Sequence, residues 1–343
     1  MVLCSFGDVM RWAFVGIGRV THRMIEAVRA AGHQVHLGAG RDSLKLRDWQ
    51  QRFGVEHGTT DLLGACESKE IDAVYIALPP SLHAQYAIAA LRAGKPVLCE
   101  KALATTLPQA QEIYQAVLET KVPLVHATAF PHHPRSHAMR RWIHSGQLGQ
   151  ICRVTVACSV GGILERRDHR GDASAGGGCL LDLGWYCAYA TLWFTGFRPT
   201  QMQSMGTRID QRSSSAWYQV QTMAKLASDT KAQTPSAHRS LMASWDCGYE
   251  ATGRKWIEIA GTQASLICDD FLRPWDIEKP RFWVHGSDGK ARCEIDGPGI
   301  FQEAQMVQSL QRVTLDESLE ALELAIHTQS ILADIDASAQ IRV

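Results

Sequence analysis

Two ionisable side chains stand where an α/β protein can carry out acid–base chemistry. Glu100 and Lys101 directly follow a short apolar run, Pro96–Cys99, which reads as a strand. Ligands of an open α/β sheet gather beyond the carboxyl ends of its strands. A lysine there acts as a general acid or base when burial or a neighbouring cation lowers its pKa. The alternative is a solvated loop lysine, and the motif alone leaves both interpretations open.

A second candidate pair follows three consecutive glycines, Gly176–Gly178. Asp182 and Tyr186 are four residues apart in an otherwise apolar run, so a helix would present both on one face. As a catalytic pair, Tyr186 would share the exchange of an alcohol proton with Lys101, and Asp182 would orient the substrate or tune Tyr186. The alternative is structural, with Tyr186 bonded to a neighbour and Asp182 capping the helix.

The element that would bring a cofactor to these residues is a glycine loop. The run Gly16–Thr21 follows a predicted strand and opens a predicted helix, which is the context of a dinucleotide fingerprint. Glycine at the first two fingerprint positions permits a tight turn and close approach to a pyrophosphate, and the helix start offers N–H donors. Thr21 stands at the third position in place of glycine. The alternative to a nucleotide-binding loop is a plain tight turn. The predicted cofactor contacts here are Gly16, Ile17, Gly18, Arg19 and Val20.

The end of the second strand indicates which dinucleotide binds. An NAD site places an acidic residue there to bond the ribose hydroxyls, whereas an NADP site supplies arginine. Here the strand runs into Gly40 and Arg41, and Arg41 can pair with a 2′-phosphate. Asp42 follows directly, and its alternative role is the N-cap of the next helix. The sequence therefore favours NADP(H) over NAD(H).

The pattern of apolar runs predicts an α/β fold with two domains. Residues 10–126 alternate short strands with amphipathic helices, which indicates a doubly wound parallel sheet of the Rossmann type. Residues 127–343 carry longer alternating strands and few helices, which indicates an α+β domain with an open, largely antiparallel sheet. The predicted strands of the first domain are Trp12–Val15, Gln34–Leu37, Ala73–Ala77, Pro96–Cys99 and Leu124–His126, and the helices lie near Val20–Ala31, Ser43–Phe53, Ser81–Ala93 and Leu107–Glu119.

The second half is read in the same way. Its predicted strands are Ile151–Ser159, Ser215–Leu226, Ser240–Trp245, Lys255–Gly261, Ala264–Asp269 and Arg281–His285, with a last helix over Leu315–Ala333. The polar segment between Ala227 and Ala237 is interpreted as a mobile loop. Because Met10 immediately precedes the first strand, we consider it an alternative native start.

Composition narrows the class of protein. The 343 residues carry 35 Lys+Arg against 35 Asp+Glu, and no run of like charges indicates a nucleic-acid or membrane partner. No apolar stretch of about 18 residues predicts a transmembrane helix, and the first ten residues do not resemble a signal peptide. We therefore expect a cytoplasmic protein with a small-molecule substrate. The ten cysteines contain no C-x-x-C pair, which predicts buried small hydrophobes rather than a zinc or redox site. His132, His133 and His137 have no clear further ligand, so we expect no metal, and place them in the cleft or on the next helix.

Several motifs together resemble the Gfo/Idh/MocA oxidoreductases, the glucose–fructose oxidoreductase and inositol dehydrogenase superfamily. Within it, the chain is most similar to the xylose/dihydrodiol dehydrogenase-like branch, over essentially Met10 to the C-terminus. The motifs are the glycine loop, Leu78–His83, Gly94–Lys101, Phe130–Pro134, Ser145–Gly149 and Gly176–Tyr186.

The resemblance implies hydride transfer between NAD(P) and a sugar, polyol or dihydrodiol-like alcohol, and a dimer or tetramer formed through the second sheet. Lys101 matches the lysine of the family's Glu-Lys-Pro motif, and Asp182 and Tyr186 match its Asp-x-x-x-His/Tyr pair. The further implied site residues are Leu78, Pro79, Pro80, His83 and Glu100 for the cofactor, and His133, Arg170, Asp182 and Tyr186 for the substrate.

The sequence also departs from the family. Ala102 replaces the proline after Lys101, which removes a rigid turn, and Pro131 stands where this branch carries a basic residue. Arg170 is read either as a contact to cofactor or substrate or as a surface arginine. Two other functions stay open: a catalytically silent nucleotide-binding sensor or co-regulator, and a glycosidase that retains NAD. The presence of Lys101, Asp182 and Tyr186 together favours the oxidoreductase.

Overall fold

The computed structural model describes residues 9–162, 169–210, 215–228 and 241–341. Contacts divide the chain into two units. The first comprises residues 1–128 and Phe301–Ile326, and the second comprises Ala129–Ile300 and His327–Val343.

Helices and strands follow in this order in the first 128 residues: β1 (Arg11–Val15), α1 (Val20–Ala30), β2 (Gln34–Ala39), α2 (Ser43–Phe53), β3 (His57–Thr59), α3 (Leu62–Glu67), β4 (Ala73–Ile76), α4 (His83–Arg92), β5 (Val97–Glu100), α5 (Leu107–Thr120) and β6 (Leu124–Ala127). The remaining elements are α6 (Pro134–His144), β7 (Ile151–Ser159), α7 (Trp185–Thr195), β8 (Phe197–Arg208), β9 (Trp217–Ser228), β10 (Leu241–Gly248), β11 (Arg254–Gly261), β12 (Ala264–Cys268), β13 (Arg281–Gly286), β14 (Ala291–Ile295), α8 (Gln302–Arg312), α9 (Leu315–Ser338) and β15 (Gln340–Ile341).

The first unit is built on a parallel sheet with the strand order β3-β2-β1-β4-β5-β6. Every residue of β4 and β6 is buried, as expected for strands covered by helices on both faces. The order reverses between β1 and β4, so the carboxyl ends of these strands mark the switch point at which such sheets bind nucleotides. The predicted doubly wound fold is confirmed.

Glycines mark where several helices of this unit end. Two short elements of the unit were not predicted. Gly54 ends α2 in the left-handed conformation, with φ +62°, and Gly32 and Gly94 also have positive φ after α1 and α4. The sequence analysis missed β3 and α3. The first is a three-residue strand without an apolar run, and the second spans only six residues, too short for a helical period to show.

The second unit is built on a mixed sheet in the order β14-β13-β12-β11-β7-β10-β9-β8-β15. Its pairs are antiparallel except β7 with β10 and β8 with β15. One face is covered by α6 and α7, and α7 is almost entirely buried. The indole of Trp245 on β10 donates a hydrogen bond to Thr191 on α7 across 2.9 Å. The strand order and the pairing confirm the predicted open, largely antiparallel sheet.

The structure of this half differs from the sequence-based expectations, which also did not include β14, β15 or α8. The strand β8 was missed, because its sequence is polar and contains Pro199, which cannot donate to a ladder. The strand β9 continues to Ser228, while residues 229–237 of the expected loop lie outside the described residues. Although the prediction placed residues 127–343 in one domain, Phe301–Ile326 belongs to the first unit.

The reason for that last difference is a set of contacts to α1. Arg23 pairs with the almost fully buried carboxylate of Glu303, with 2.8 Å between Nε and Oε1, and its guanidinium lies over the ring of Phe301. These contacts are long-range in sequence, so periodicity does not reveal them. Within the described residues, we find no helix with the length and apolar character needed to span a membrane.

Candidate active site

The glycine loop forms a tight turn that only glycine permits at its first position. Gly16 has φ +103°, and its N–H donates to the carbonyl of Ala39 across 2.9 Å. A β-carbon on Gly16 would lie 2.3 Å from the carbonyl oxygen of Ala77. The loop therefore runs close to the ends of β2 and β4, at the switch point of the sheet.

The start of α1 fits the phosphates of a dinucleotide. A β-carbon on Gly18 would meet no atom within 4 Å, so this part of the loop has open space beside it. Among the described residues no side chain caps α1, and its first turn carries no acidic residue. Backbone N–H groups at such an end, together with the helix dipole, favour an anion. The residues present thus fit NAD(P).

Thr21, which replaces the third glycine of the loop, is held by a hydrogen bond from a tryptophan. The hydroxyl of Thr21 donates to the carbonyl of Gly18 across 2.7 Å and accepts from the indole N–H of Trp49 across 2.9 Å. Trp49 packs so tightly on Gly38 of β2 that a β-carbon there would lie 2.5 Å from its ring. Trp49 was missed by the sequence analysis, because nothing local links α2 to Thr21.

Arg41 is exposed and follows β2 after one intervening residue, Gly40. Its neighbour Asp42 is the N-cap of α2, accepting hydrogen bonds from the N–H groups of Leu44 and Lys45 at 3.0 and 3.1 Å. The backbone hydrogen bond from Lys45 is the main cause of the lowered pKa of Asp42. The capping role anticipated for Asp42 is therefore observed.

His83 is fully buried and bonds to backbone on both sides of its ring. Nε2 lies 2.7 Å from the carbonyl oxygen of Leu78, and Nδ1 lies 2.9 Å from that of Ala102. Pro79 precedes the short 3₁₀ turn that begins at Pro80 and leads to His83. His83 thus ties the Leu78–Pro80 segment to the residue after Lys101, which makes it a positioning residue in this structure.

Glu100 and Lys101 stand at the end of β5, where they were expected. The phenol of Tyr75 on β4 donates to Oε1 of Glu100 across 2.6 Å, and the backbone N–H of Lys101 donates to Oε2 across 3.2 Å. The side chain of Lys101 is half-buried, and the Lys101–Ala102 peptide bond is cis. Tyr75 is fully buried and was missed, although a phenol in an apolar strand is a usable signal.

In the second unit, Asp182 lies in a π-helical turn, Leu180–Gly184, that leads into α7. Oδ2 of Asp182 accepts from Nε of Arg170 at 2.9 Å and from the phenol of Tyr249 at 3.2 Å. The side chain of Asp182 is 16% exposed. Burial, followed by the Asp182 carboxylate, raises the pKa of Tyr249, so this phenol remains a donor. Asp182 does not cap the helix, and Arg170 is not a free surface arginine.

The glycines before this turn let the chain fold back on Arg170. Gly178 has φ +105°, and its N–H donates to the carbonyl of Arg170 across 2.8 Å. A β-carbon on Gly177 would lie 2.3 Å from the carbonyl oxygen of His169. The glycine run is therefore what brings the arginine to the carboxylate. Tyr249, immediately beyond β10, was missed because its link to Asp182 spans 67 residues.

Tyr186 and His133 complete the expected set in this unit. Tyr186 is half-buried in the first turn of α7. His133 is 1% exposed and caps α6, its Nδ1 accepting from the N–H of Arg135 across 3.0 Å. It therefore lies immediately before the helix that follows the histidine cluster. Lys101 belongs to the first unit and Asp182, Tyr186, His133 and Arg170 belong to the second.

The cysteines behave mainly as buried apolar residues. Cys152 is half-buried and Cys293 exposed, whereas the other described cysteines are buried: Cys66, Cys99, Cys158, Cys179, Cys187, Cys247 and Cys268. Burial raises the pKa of the Cys99 and Cys179 thiols well above the ordinary value, which disfavours the thiolate.

Two family models match the chain. A model described as an oxidoreductase family with an NAD-binding Rossmann fold matches residues 10–128. A model of the GFO/IDH/MocA C-terminal domain matches residues 136–267. Together the two models cover most of the chain.

Curated relatives include dehydrogenases and reductases. A trans-1,2-dihydrobenzene-1,2-diol dehydrogenase from Danio rerio is 29% identical over 205 residues, covering 59% of this chain and 61% of that protein. A dTDP-3,4-didehydro-2,6-dideoxy-alpha-D-glucose 3-reductase from Actinomadura kijaniata is 36% identical over 154 residues, covering 44% and 45%. The chain thus spans about half to three fifths of these relatives. A 1,5-anhydro-D-fructose reductase from Ensifer adhaerens is 26% identical over 308 residues, covering 86% and 85%.

A solved structure shares the architecture over nearly the whole chain. A 3-ketoreductase from Actinomadura kijaniata, in complex with NADP and TDP-benzene, superposes with a TM-score of 0.83 at 24% identity, covering 97% of this chain and 99% of that one. At this identity the likeness shows the fold alone.

Proposed function

Since the chain belongs to the Gfo/Idh/MocA family of NAD(P)-binding oxidoreductases, we propose that it transfers hydride between NADP(H) and a small alcohol or ketone. The substrate class is a sugar, a polyol or a dihydrodiol-like compound. The observation that carries this proposal is the open, uncapped start of α1 beside Gly18, which suits a dinucleotide pyrophosphate. Relatives named as dihydrodiol dehydrogenase and sugar reductases support the choice of substrate class.

NADP(H) is the preferred cofactor in this proposal. Arg41 is exposed beyond β2 and carries the charge that a 2′-phosphate requires. The nearest carboxylate, that of Asp42, is engaged with the backbone of α2 and serves the cap instead of a ribose hydroxyl. The cap, made through Oδ1, supports the choice of NADP(H) over NAD(H) in this proposal.

In this proposal some residues of the first unit contact the cofactor, and others hold the segment that carries Lys101. Gly16, Ile17, Gly18, Arg19 and Val20 bind the pyrophosphate, and Leu78–Pro80 lines the cofactor. His83 and Glu100 act through the backbone they hold, because both bond to the segment that carries Lys101. Ala102 replaces the family's proline, and its carbonyl contact with His83 fixes the turn that the proline would otherwise stiffen.

The residues that act on the substrate either exchange its proton or orient its hydroxyl group. When bound, the nicotinamide supplies the hydride acceptor or donor. Lys101 exchanges the proton of the substrate oxygen, aided by Tyr186. Asp182 orients the substrate hydroxyl, because Arg170 and Tyr249 hold its carboxylate while 16% of its side chain stays accessible. His133, which caps α6, supports the substrate site from within the fold.

The second sheet supplies a surface for self-association. Met223 on β9 and Met205 on β8 are 59% and 37% exposed, respectively. Both lie on the face opposite the one that α7 covers, because buried and exposed residues alternate along these strands. Exposed apolar side chains on a broad sheet favour association with a second copy of the chain. Light scattering is expected to show a dimer or tetramer, and Met223→Lys to shift it toward the monomer; a monomeric wild type would contradict this.

The reaction is tested by initial rates with NADP and NADPH on a panel of sugars, polyols and dihydrodiols, followed by nicotinamide absorbance. Turnover with a hydroxyl or carbonyl substrate supports the proposal. Arg41→Ala is expected to weaken use of NADPH at least tenfold and to leave use of NADH unchanged. Binding of nucleotide without turnover of any compound would instead favour the silent sensor.

A further inference from the structure

Trp275 is a largely exposed tryptophan on a firmly held loop. It is 58% exposed, yet its backbone N–H donates to Oδ2 of Asp270 across 2.6 Å. Asp270 is buried and pairs with the fully buried guanidinium of Arg135, with 2.5 Å between Oδ1 and Nη1. Placing two charges in the interior carries a desolvation penalty that only close pairing and further hydrogen bonds offset. Here the buried pair holds the loop in place, and the loop presents the indole ring of Trp275 to solvent.

Lys255 orients the ring itself. Its Nζ lies 3.6 Å from the centre of the Trp275 ring, within the range of a cation–π contact. The ring also lies over Gly253, where the position of a β-carbon is 4.0 Å from Cη2 of the indole. The backbone of the loop is joined to the same strand, because Phe271 donates to the carbonyl of Lys255 across 2.9 Å. The indole is thus held beside a positive charge.

This pair lies on the same sheet face as the Asp182 cluster. Lys255 on β11 pairs with Cys158 on β7, and Cys158 pairs with Cys247 on β10. Paired residues of neighbouring strands project from one face, and two strand spacings amount to about 10 Å. Two residues beyond Cys247, the phenol of Tyr249 bonds to Asp182.

Between the two clusters lies the end of β7. Val160 directly follows β7 and is 40% exposed, and its N–H donates to the carbonyl of Gly248 across 3.2 Å. Lys255 and Cys247 are thus about 10 Å apart across the sheet, which is more than the width of one sugar ring. The geometry therefore suits an extended ligand better than a single monosaccharide.

We propose that Trp275 and Lys255 form a subsite for a second ring, carried by an extended substrate whose reacting sugar lies at Asp182. The inference rests on the proposed function, because it takes Asp182 as the group that orients the reacting sugar. An indole face stacks on a nucleobase or on the apolar face of a pyranose. The Lys255 ammonium also complements a negatively charged linker between the rings.

Calorimetric titration of the full chain in the presence of NADPH tests the subsite with two probes. Thymidine diphosphoglucose carries a nucleobase on a charged linker, and cellobiose carries a neutral second sugar. Trp275→Ala is expected to weaken binding of at least one probe tenfold or more, and Trp275→Phe to retain most of it. Lys255→Met weakens only the diphosphate probe if the second ring is a base.

Trp256→Ala is the matched control. Trp256 is the neighbouring residue on β11, is 37% exposed, and projects from the opposite face of the sheet. Its loss is expected to leave the affinity for both probes unchanged. The proposal is overturned if wild type binds neither probe, or if Trp275→Ala binds both as wild type does. Titrating the same samples with NADPH separates this failure from that of the proposed function, because loss of nucleotide binding would count against the function and intact nucleotide binding would confine the failure to the subsite.

Discussion

Arg170 and Asp182 form a short ion pair in the second unit, with 2.9 Å between Nε and Oδ2, and their side chains are 29% and 16% exposed. The same carboxylate oxygen accepts the phenol of Tyr249. Two donors converging on one oxygen restrict the orientation of the carboxylate. A carboxylate held in this way can orient a substrate hydroxyl without having to reorganise.

Replacing Arg170 should therefore impair catalysis more than folding. Arg170→Gln removes the cation beside Asp182, and we expect kcat/KM to fall at least tenfold, about 1.4 kcal/mol, for the best substrate of the panel. The Kd for NADPH should not change, because the proposal assigns Arg170 to Asp182 on the substrate side. Arg141→Gln, which breaks the more exposed pair with Asp296, is the control expected to behave as wild type. Equal rates for Arg170→Gln and wild type would contradict the role.

Lys101→Ala should remove the proton exchange. General acid–base catalysis contributes about 10²–10⁴-fold, so we expect kcat/KM to fall by that factor, about 3–5 kcal/mol. The exposed Lys69→Ala is the control for loss of a surface lysine. Steady-state rates and an NADPH titration of both variants make the measurement. An unchanged kcat in Lys101→Ala would exclude Lys101 as the acid–base group.

Thr21→Val tests the polar contact that replaces the third glycine. The variant keeps the shape of the side chain but leaves the buried indole N–H of Trp49 without its acceptor, which costs about 1–3 kcal/mol. Urea unfolding should show a loss of that size. Trp49→Phe removes the donor, so the double variant should be less destabilised than the sum of the single ones. Strict additivity would show that the contact contributes nothing.

His132 should make stability depend on pH. Burial, reinforced by the neighbouring His137, lowers the pKa of His132 from 6.5 to about 4. Between those two values the unfolded chain binds a proton that the folded chain does not, so stability falls as the pH is lowered from 6.5 to 4. The 2.5-unit difference corresponds to roughly 3 kcal/mol.

His132→Gln removes this titrating group and should flatten the profile. Urea unfolding at several pH values between 4.5 and 7 compares the variant with wild type. The difference in unfolding free energy between the two proteins should change steadily across that range. If the two profiles run parallel, burial of His132 is not what couples stability to pH.

Local sequence signals predicted the first unit well. The glycine loop and Asp42 as a cap each depend on backbone conformation or on contacts within three residues. Such signals are visible along the chain, because the residue type itself is what permits the conformation. The positions of Lys101 and Asp182 were likewise readable from their motifs.

What the sequence did not reveal depends on contacts between distant residues. Trp49, Tyr75 and Tyr249 each place one polar atom against a group 25 to 67 residues away. No periodicity encodes such a pairing. The strand β8 was hidden for another reason, since a strand with one solvated face and a proline carries little apolar signal.

The central claim is that this chain binds NADP(H) at the Gly16–Val20 loop. A paired titration of the purified protein with NADPH and NADH, followed by energy transfer from its ten tryptophans, tests this directly. We expect NADPH to bind at least tenfold more tightly than NADH, and Gly18→Asp, which places a carboxylate against the pyrophosphate, to abolish both. If wild type bound neither nucleotide, or if Gly18→Asp bound NADPH normally, the claim would be contradicted.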